Sequence, residues 1–414
     1  MKDEIKIKEV IICTLVLIVI IVLFEIFIQP YIEIRTDYFS KVMQKITASQ
    51  NISPQRLYIN VWRTAKNSYV DSTMNEQNWN RWRNRYLKQI KTVDDADVAI
   101  NTMLASLNDS YTKYLCSDLF SKQKIILDSK ITGVGVMFNK AGEDVVINHV
   151  LDNSPAQAAN IKPGDTIISI NGKEADADEL ETLISNIEDS KSDTVELVIK
   201  RDNNIIKTTL RKKEIPIKTM EYKITPDNIG IITLSNIMGE KAIEDFKEIL
   251  EKTNDTRALI IDLRNNYGGI LANAIVMVNY MMDVDEIVSI ESRINAEYKI
   301  YSAGERIFKQ KPVIILINKK TASAAEIFAG VLRKYADAVL IGENSFGKNS
   351  IQQVIPLHNS SGLIITTDKY ILPDGNDIYG VGLTPDIYLR SKNVKKDNQI
   401  EIALKLLRDI LDNE

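Results

Sequence analysis

The chain has 414 residues, 44% of them hydrophobic and 26% charged, with a formal net charge of −4. That length exceeds a single hydrophobic core and calls for two or three domains, and the mildly acidic balance leaves no basic footprint for a nucleic-acid partner. The two cysteines, Cys13 and Cys116, lie in segments of different character, so no disulfide and no cysteine-based metal site is expected.

Residues 10–28 are apolar except for Thr14 and Glu25. At 1.5 Å per residue, a helix of that length nearly crosses a hydrocarbon core of roughly 30 Å. A buried core helix and a cleaved signal peptide are the alternatives. The run is longer than a usual signal-peptide core, and Gln29, Pro30, Tyr31 and Ile32 offer no small-x-small cleavage site. An uncleaved single-pass signal anchor is the expectation. Lys2, Lys6 and Lys8 precede the run, while Arg35, Lys41 and Lys45 follow it, so the positive-inside bias is nearly balanced. Keeping residues 1–9 in the cytoplasm is the simpler topology, with everything after Gln29 on the extracytoplasmic side of the cell membrane.

Residues 29–122 read as a helical cap. Val98, Ile100, Met103, Leu104 and Leu107 recur at helical spacing. The tryptophans at 62, 79 and 82 are expected to pack this layer. Residues 123–215 change character, to short β-rich runs at 133–138, 144–150, 165–172 and 194–201 with a helical stretch at 177–187. Several short strands with one helix predict a small, partly open barrel. Ser154-Pro155 opens a helix with proline at its first position. Pro163-Gly164-Asp165 makes a tight turn, and Asn171-Gly172 is a hairpin signal. The stretch 154–173 resembles the PDZ domains of bacterial proteases. Such a domain adds an extended peptide to a sheet edge. The resemblance implies that Gly133, Val134, Gly135 and Val136 hold the peptide's terminal carboxylate.

Residues 216–388 contain two strand–turn–helix units. One runs from a buried strand ending near Leu263 through a Gly-Gly turn into a helix. The other runs from a strand at 313–317 into a helix starting near Ser323, whose apolar face is Ile327, Phe328, Val331 and Leu332. A serine at such a turn has an exposed hydroxyl beside unpaired helix N–H groups that favour a developing oxyanion. Taken alone, the segment reads first as a helix N-cap, a very common use of serine. The following segment, 339–357, holds Lys348 in a glycine-containing loop between strands.

Together, TASAAEIFAG and GENSFGKNSIQQ resemble the carboxy-terminal processing peptidases of the S41 serine-protease family. The resemblance implies Ser323 as nucleophile, Lys348 as base and Gln352 as the side chain that supports the lysine. Thr321 and Ala325 stand where the family has flanking serines, and Asn349 replaces the glycine after the lysine. DLRNNYGG at 262–269 resembles a further family motif. The N–H of Gly268, or of Gly269 next to it, would join that of Ala324 in an oxyanion hole; a purely structural turn is the alternative. The segment 370–387 resembles the family's core-closing stretch. Matching motifs run from about residue 57 to 408, most of the chain.

A serine hydroxyl needs a base. Neither His149 nor His358 has a partner in the family pattern, which leaves lysine. An exposed lysine is charged at neutral pH, so Lys348 is expected to be desolvated. The implied reaction is peptide hydrolysis through an acyl-enzyme, with no metal or organic cofactor. The implied partner is a protein or peptide with a free carboxyl terminus. A non-catalytic membrane scaffold binding carboxy-terminal tails would explain the anchor and the PDZ domain but not the Ser–Lys pair. An esterase on the same core would not need a PDZ domain.

The fold expected is therefore α+β: a transmembrane helix, a helical cap, a PDZ domain, an α/β core of the S41 (ClpP/crotonase-like) type and a C-terminal helical segment at 389–414. The cap and the last helix, with its face of Ile402, Leu404, Leu406 and Leu407, are the expected contacts of a homodimer, unless that face packs onto the core.

Overall fold

A computed structural model describes residues 52–179, 183, 192–202, 204–239, 241–293, 297–391 and 397–413. The expected anchor at 10–28 and most of the helical stretch at 177–187 lie outside the described residues. Among the described residues, no helix is long and apolar enough to cross a membrane. Two compact units form. One takes the chain up to Ser121 together with Ile351–Asp368; the other takes Lys122–Ser350 and Lys369 onward. The sequence reading keeps residues 351–368 with the core.

The first unit is the cap. Helix Pro54–Ser68 starts with proline behind an N-capping Ser53. Helix Val93–Ala105 starts with a reciprocal capping box between Thr92 and Asp95. Trp62 and Trp79 each donate their indole N–H to the other's carbonyl oxygen at 3.1 Å. Trp82 donates to Gln77 Oε1 at 2.8 Å. All three rings are buried, as their expected packing role requires. Val98 departs from the sequence reading, since its side chain is 68% exposed. The helix buries Ala96, Ala99, Ile100, Met103 and Leu104, and position 98 falls on the opposite face of that stripe.

The second unit holds two six-stranded sheets. Strands Val136–Ala141, Asp144–Val150, Thr166–Ile170, Thr194–Arg201 and Asn204–Arg211 form the PDZ sheet in that order, with the short Lys173–Glu174 pairing on Thr166–Ile170. Its core is Val134, Val145, Ile147, Ile167, Ile170, Val195, Leu197 and Ile199. Asn171 and Gly172 both take positive φ, as a tight hairpin turn requires. The ribbon that enters and leaves this domain pairs Lys130–Gly133 antiparallel with Lys213–Pro216.

The core sheet has six strands, ordered Met220–Ile224, Ile229–Leu234, Ala258–Asp262, Val313–Ile317, Val339–Gly342 and Ile387–Tyr388. Only the first pair is antiparallel. Ala258–Asp262 and Val313–Ile317 are buried at every position, which is why they read as unbroken apolar runs: both sheet faces are covered. Ile229, Ile231, Ile260, Ile314, Leu316 and Ile341 pack on the last helix, Asn398–Asp412, through its Ala403 and Leu407. That face is therefore used internally, while Ile402 stays 40% exposed. Arg264 ties the helix start to the sheet, since its guanidinium bonds Asp262, Asp397 and Gln399 at 2.5–2.9 Å.

Leu407→Ala should lower the unfolding free energy by about 2–5 kcal/mol in a urea titration, whereas Ile402→Ala should stay within about 0.5 kcal/mol. Equal small effects would mean that the last helix is not part of the core.

Candidate active site

Three neighbouring parallel strands end in the turns that carry the candidate residues. Ala258–Asp262 leads to Gly268, Val313–Ile317 to Ser323 and Val339–Gly342 to Lys348. Parallel strands bring their carboxyl ends to one edge, where ligands bind in open α/β sheets. The ladder continues past the strands: Leu263 N donates to Leu316 O at 2.9 Å and Glu343 N to Ile317 O at 3.1 Å.

Ser323 sits at the junction of turn and helix with φ 56° and ψ −122°, a conformation that costs a non-glycine residue energy unless its surroundings enforce it. They do. The buried Thr321 hydroxyl donates to Leu263 O at 2.9 Å and accepts from Asn318 N at 3.0 Å. Ala322 N donates to Asn266 O at 3.0 Å. Gly268, with φ 92°, presses on this turn, and a Cβ there would lie 2.6 Å from Ala322 O and 3.0 Å from Ala324 N. Only glycine fits such a gap.

A buried carboxylate joins the serine turn to the lysine loop. Glu326, in the first turn of helix Ala324–Tyr335, is 0% exposed. Its Oε2 accepts from Ser323 N at 2.7 Å and from Lys348 N at 3.0 Å. Its Oε1 accepts from Ser345 Oγ at 2.5 Å and from Gly347 N at 2.7 Å. Two oxygens thus hold four donors, three of them from the lysine loop. Burial pushes the Glu326 carboxyl above the usual carboxylate range, against the pull of those four bonds.

Tyr370 makes the second tie. Its phenol reaches Ser323 O at 3.2 Å and Lys348 O at 2.7 Å. Burial, then the neighbouring Glu326 charge, keeps the phenol protonated well above its ordinary range. The lysine loop is also gripped from residues 378–383. Leu383 N donates to Ser345 Oγ at 2.6 Å, and Gly380 N donates to Gly347 O at 2.9 Å. A Cβ on Gly347 would meet Ile378 O at 2.5 Å.

Ser323, Lys348, Ala324 and Gly268 therefore come together in one unit. Ala324 is the first helical residue, so its N–H has no acceptor within the helix. The N–H of Gly268 is engaged, donating to Asn266 Oδ1 at 2.8 Å. This departs from the expectation of an open donor there. Lys348 is partly rather than fully shielded, and it lies in the loop that precedes the strand Ser350–Pro356. Asn349 is buried and donates to Asp377 Oδ1 at 3.0 Å. Gln352 belongs to the first unit, where its Nε2 donates to Thr366 Oγ1 at 3.1 Å. His149 is exposed on PDZ strand Asp144–Val150, and His358 opens the short turn His358–Ser360. Among the described residues, no cluster of His, Cys, Asp or Glu could hold a metal.

On the PDZ sheet, Val136–Ala141 is the terminal strand. Gly135, with φ 82°, lies so close to Ser154 that a Cβ would sit 2.2 Å from that residue's Cβ. Val134 O accepts from Ala156 N at 2.9 Å. The Gly133–Val136 segment is thus fastened to the helix Pro155–Ala158 where it enters the terminal strand of the sheet.

Sequence reasoning did not single out Glu326 or Tyr370. The signal for Glu326 is the Ser-x-x-Glu spacing of a capping box. A strand tyrosine such as Tyr370 carries no comparable sign.

Residues 228–389 match the model of peptidase family S41, and residues 132–211 match that of the PDZ domain. The chain is 32% identical to a carboxyl-terminal-processing protease of Picosynechococcus sp. over 85% of its own length and 89% of the relative's. It is 30% identical to the carboxy-terminal processing protease CtpB of Bacillus subtilis, over 79% and 69% of the two chains. A solved photosystem II D1 C-terminal processing protease superposes with a TM-score of 0.54 at 27% identity, covering 82% of this chain and 94% of that one.

Glu326→Ala would orphan one hydroxyl and three amides, and should cost about 3–5 kcal/mol of unfolding free energy, against about 1 kcal/mol for Tyr370→Phe. Denaturant titration measures both, and an unchanged midpoint for Glu326→Ala would mean that the four-donor hub does not form.

Proposed function

The chain belongs to the carboxyl-terminal-processing proteases of peptidase family S41, and on that footing we propose that it is a membrane-anchored serine endopeptidase with Ser323 as nucleophile and Lys348 as base. One observation carries the assignment: the Ser323 and Lys348 amides share a single acceptor, the buried Glu326 Oε2. Two residues twenty-five positions apart are thereby fixed side by side at the carboxyl edge of the sheet.

In this reading the unprotonated Lys348 amine takes the Ser323 hydroxyl proton as Oγ adds to the scissile carbonyl. The oxyanion accepts from Ala324 N–H and, once Asn266 releases it, from Gly268 N–H, with Gly269 adjacent. Lys348 returns the proton to the departing amine, leaving an acyl-enzyme on Ser323. Water then gives up a proton to Lys348, attacks the ester carbon and frees the acid, and the proton goes back to Oγ. Gln352 orients the lysine. None of these steps requires a cofactor.

The substrate is a protein chain with a free carboxyl terminus. Its end adds as a strand to Val136–Ala141, with its carboxylate on the N–H groups of the 133–136 segment. The apolar run at 10–28 anchors the chain in the cell membrane, with the peptidase on the extracytoplasmic side.

The test uses the full chain and an unstructured protein ending in apolar residues. Ser323→Ala and Lys348→Ala should each lower kcat/KM by about 10⁴-fold or more, and Gln352→Ala by about tenfold. Amidating the substrate's terminus should raise KM with little change in kcat. Normal hydrolysis by Lys348→Ala would refute the dyad, and binding without cleavage by the wild type would favour a scaffold.

A further inference from the structure

The charge of the cap differs from that of the chain. Residues 52–92 carry eight lysines and arginines against two acids, in a protein whose net charge is −4. Arg56, Arg63, Lys66, Arg81, Arg83 and Arg85 are all exposed. The first three lie on helix Pro54–Ser68 at spacings of seven and three, which places them along one stripe. Arg83 joins that stripe through Trp62, which it shares with Lys66, and Arg81 and Arg85 gather on Trp82. Lys66 Nζ and the Arg83 guanidinium stand 5.3 and 5.7 Å from the Trp62 ring centre, while Arg81 and Arg85 stand 5.2 and 5.1 Å from that of Trp82. Such contacts hold the long side chains against apolar surface while their charged heads stay in solvent. One of the segment's two acids, Asp71, is occupied by Thr73 and by the Asn75 amide. Among the described residues no ion pair neutralises any of the six cations.

We propose that this cationic face docks the cap on anionic phospholipid headgroups of the membrane. The inference rests on the anchor proposed above, which puts the end of an apolar span at residue 28 and the start of the cap helix at Pro54. A tether that short holds the face at high effective concentration over the bilayer. The attraction of an anionic surface decays within a screening length, so the face must lie close to it to gain from it. A second copy of the face would set cations against cations, which argues against self-pairing.

The chain's three tryptophans all lie in the cap, at 62, 79 and 82. Energy transfer from tryptophan to a dansyl-headgroup lipid therefore reports on this unit alone. Full-length protein would be reconstituted into phosphatidylcholine vesicles with and without phosphatidylglycerol. Transfer should rise about twofold on the anionic vesicles and fall back at about 1 M salt, where the screening length is ~3 Å. The combined variant K66E/R81E/R83E/R85E should transfer equally on both lipids, with its near-ultraviolet circular dichroism unchanged. Equal wild-type transfer on both vesicles overturns the proposal, whether the face is idle or serves an acidic protein; so does transfer that resists salt. The anchor is read separately, by retention on neutral vesicles after alkaline carbonate. Loss there, with salt-sensitive transfer on anionic vesicles, would remove the anchor and leave the docking face standing.

Discussion

The Glu326 carboxylate is the constraint on which the candidate site depends. It lies out of water, so its charge must be matched by donors, and the donors come from the two loops that carry Ser323 and Lys348. Moving either loop strands part of a buried charge. Serine and lysine are flexible side chains on irregular backbone, and the structure compensates by over-determining the backbone beneath them. The strained Ser323 conformation persists because Glu326, Tyr370 and Thr321 each hold a different atom of its surroundings.

The parallel sheet makes this arrangement available. Its three neighbouring strands end together, and their turns are knitted by backbone bonds, Ala322 to Asn266 and Phe346 to Thr321. The glycines at 268 and 342 let those turns approach closer than a side chain would allow, and Gly347 does the same for the lysine loop against residues 378–382. Arg264 extends the knitting to the C-terminal helix through Asp262 and Asp397, and that helix in turn covers one face of the sheet. At the opposite, amino-terminal ends of the strands lies a cavity of about 660 Å³ lined in part by Arg257 and Lys311. Burial there lowers Lys311 to about 8, yet its ammonium donates to the carbonyls of Thr253, Asn254 and Thr256. That lysine pins a helix end and takes no part in the chemistry at the other edge.

Much of this was legible in the sequence, and the reasons differ by element. Strand Val313–Ile317 reads correctly because a strand buried on both faces is a short unbroken apolar run with a turn after it. Among the PDZ strands, Asp144–Val150, Thr166–Ile170 and Thr194–Arg201 fall within runs read from the sequence, the second because Pro163-Gly164 and Asn171-Gly172 bound it, whereas Asn204–Arg211 was not singled out. Val98 misleads, since an apolar residue off the buried stripe still fits a loose helical spacing. Ser323 and Lys348 stand out only as a pair, each being ordinary alone. Glu326 was hidden because Ser-x-x-Glu is a common helix start, and nothing local tells that its carboxylate also receives a loop twenty residues downstream. The Gly268–Asn266 bond is likewise set by how a turn folds back on itself, below the resolution of any motif. Net charge concealed the cationic cap, because acids elsewhere in the chain cancel it.

The most direct test is active-site labelling with a fluorophosphonate, followed by peptide mass mapping, in the wild type and in Glu326→Gln. A single adduct on Ser323 is expected in the wild type. In the variant, whose amide cannot accept all four donors, labelling should slow at least about tenfold while circular dichroism shows the fold retained. An adduct on another residue, or equal labelling rates in the two proteins, would contradict the claim that a buried carboxylate assembles the nucleophile and its base.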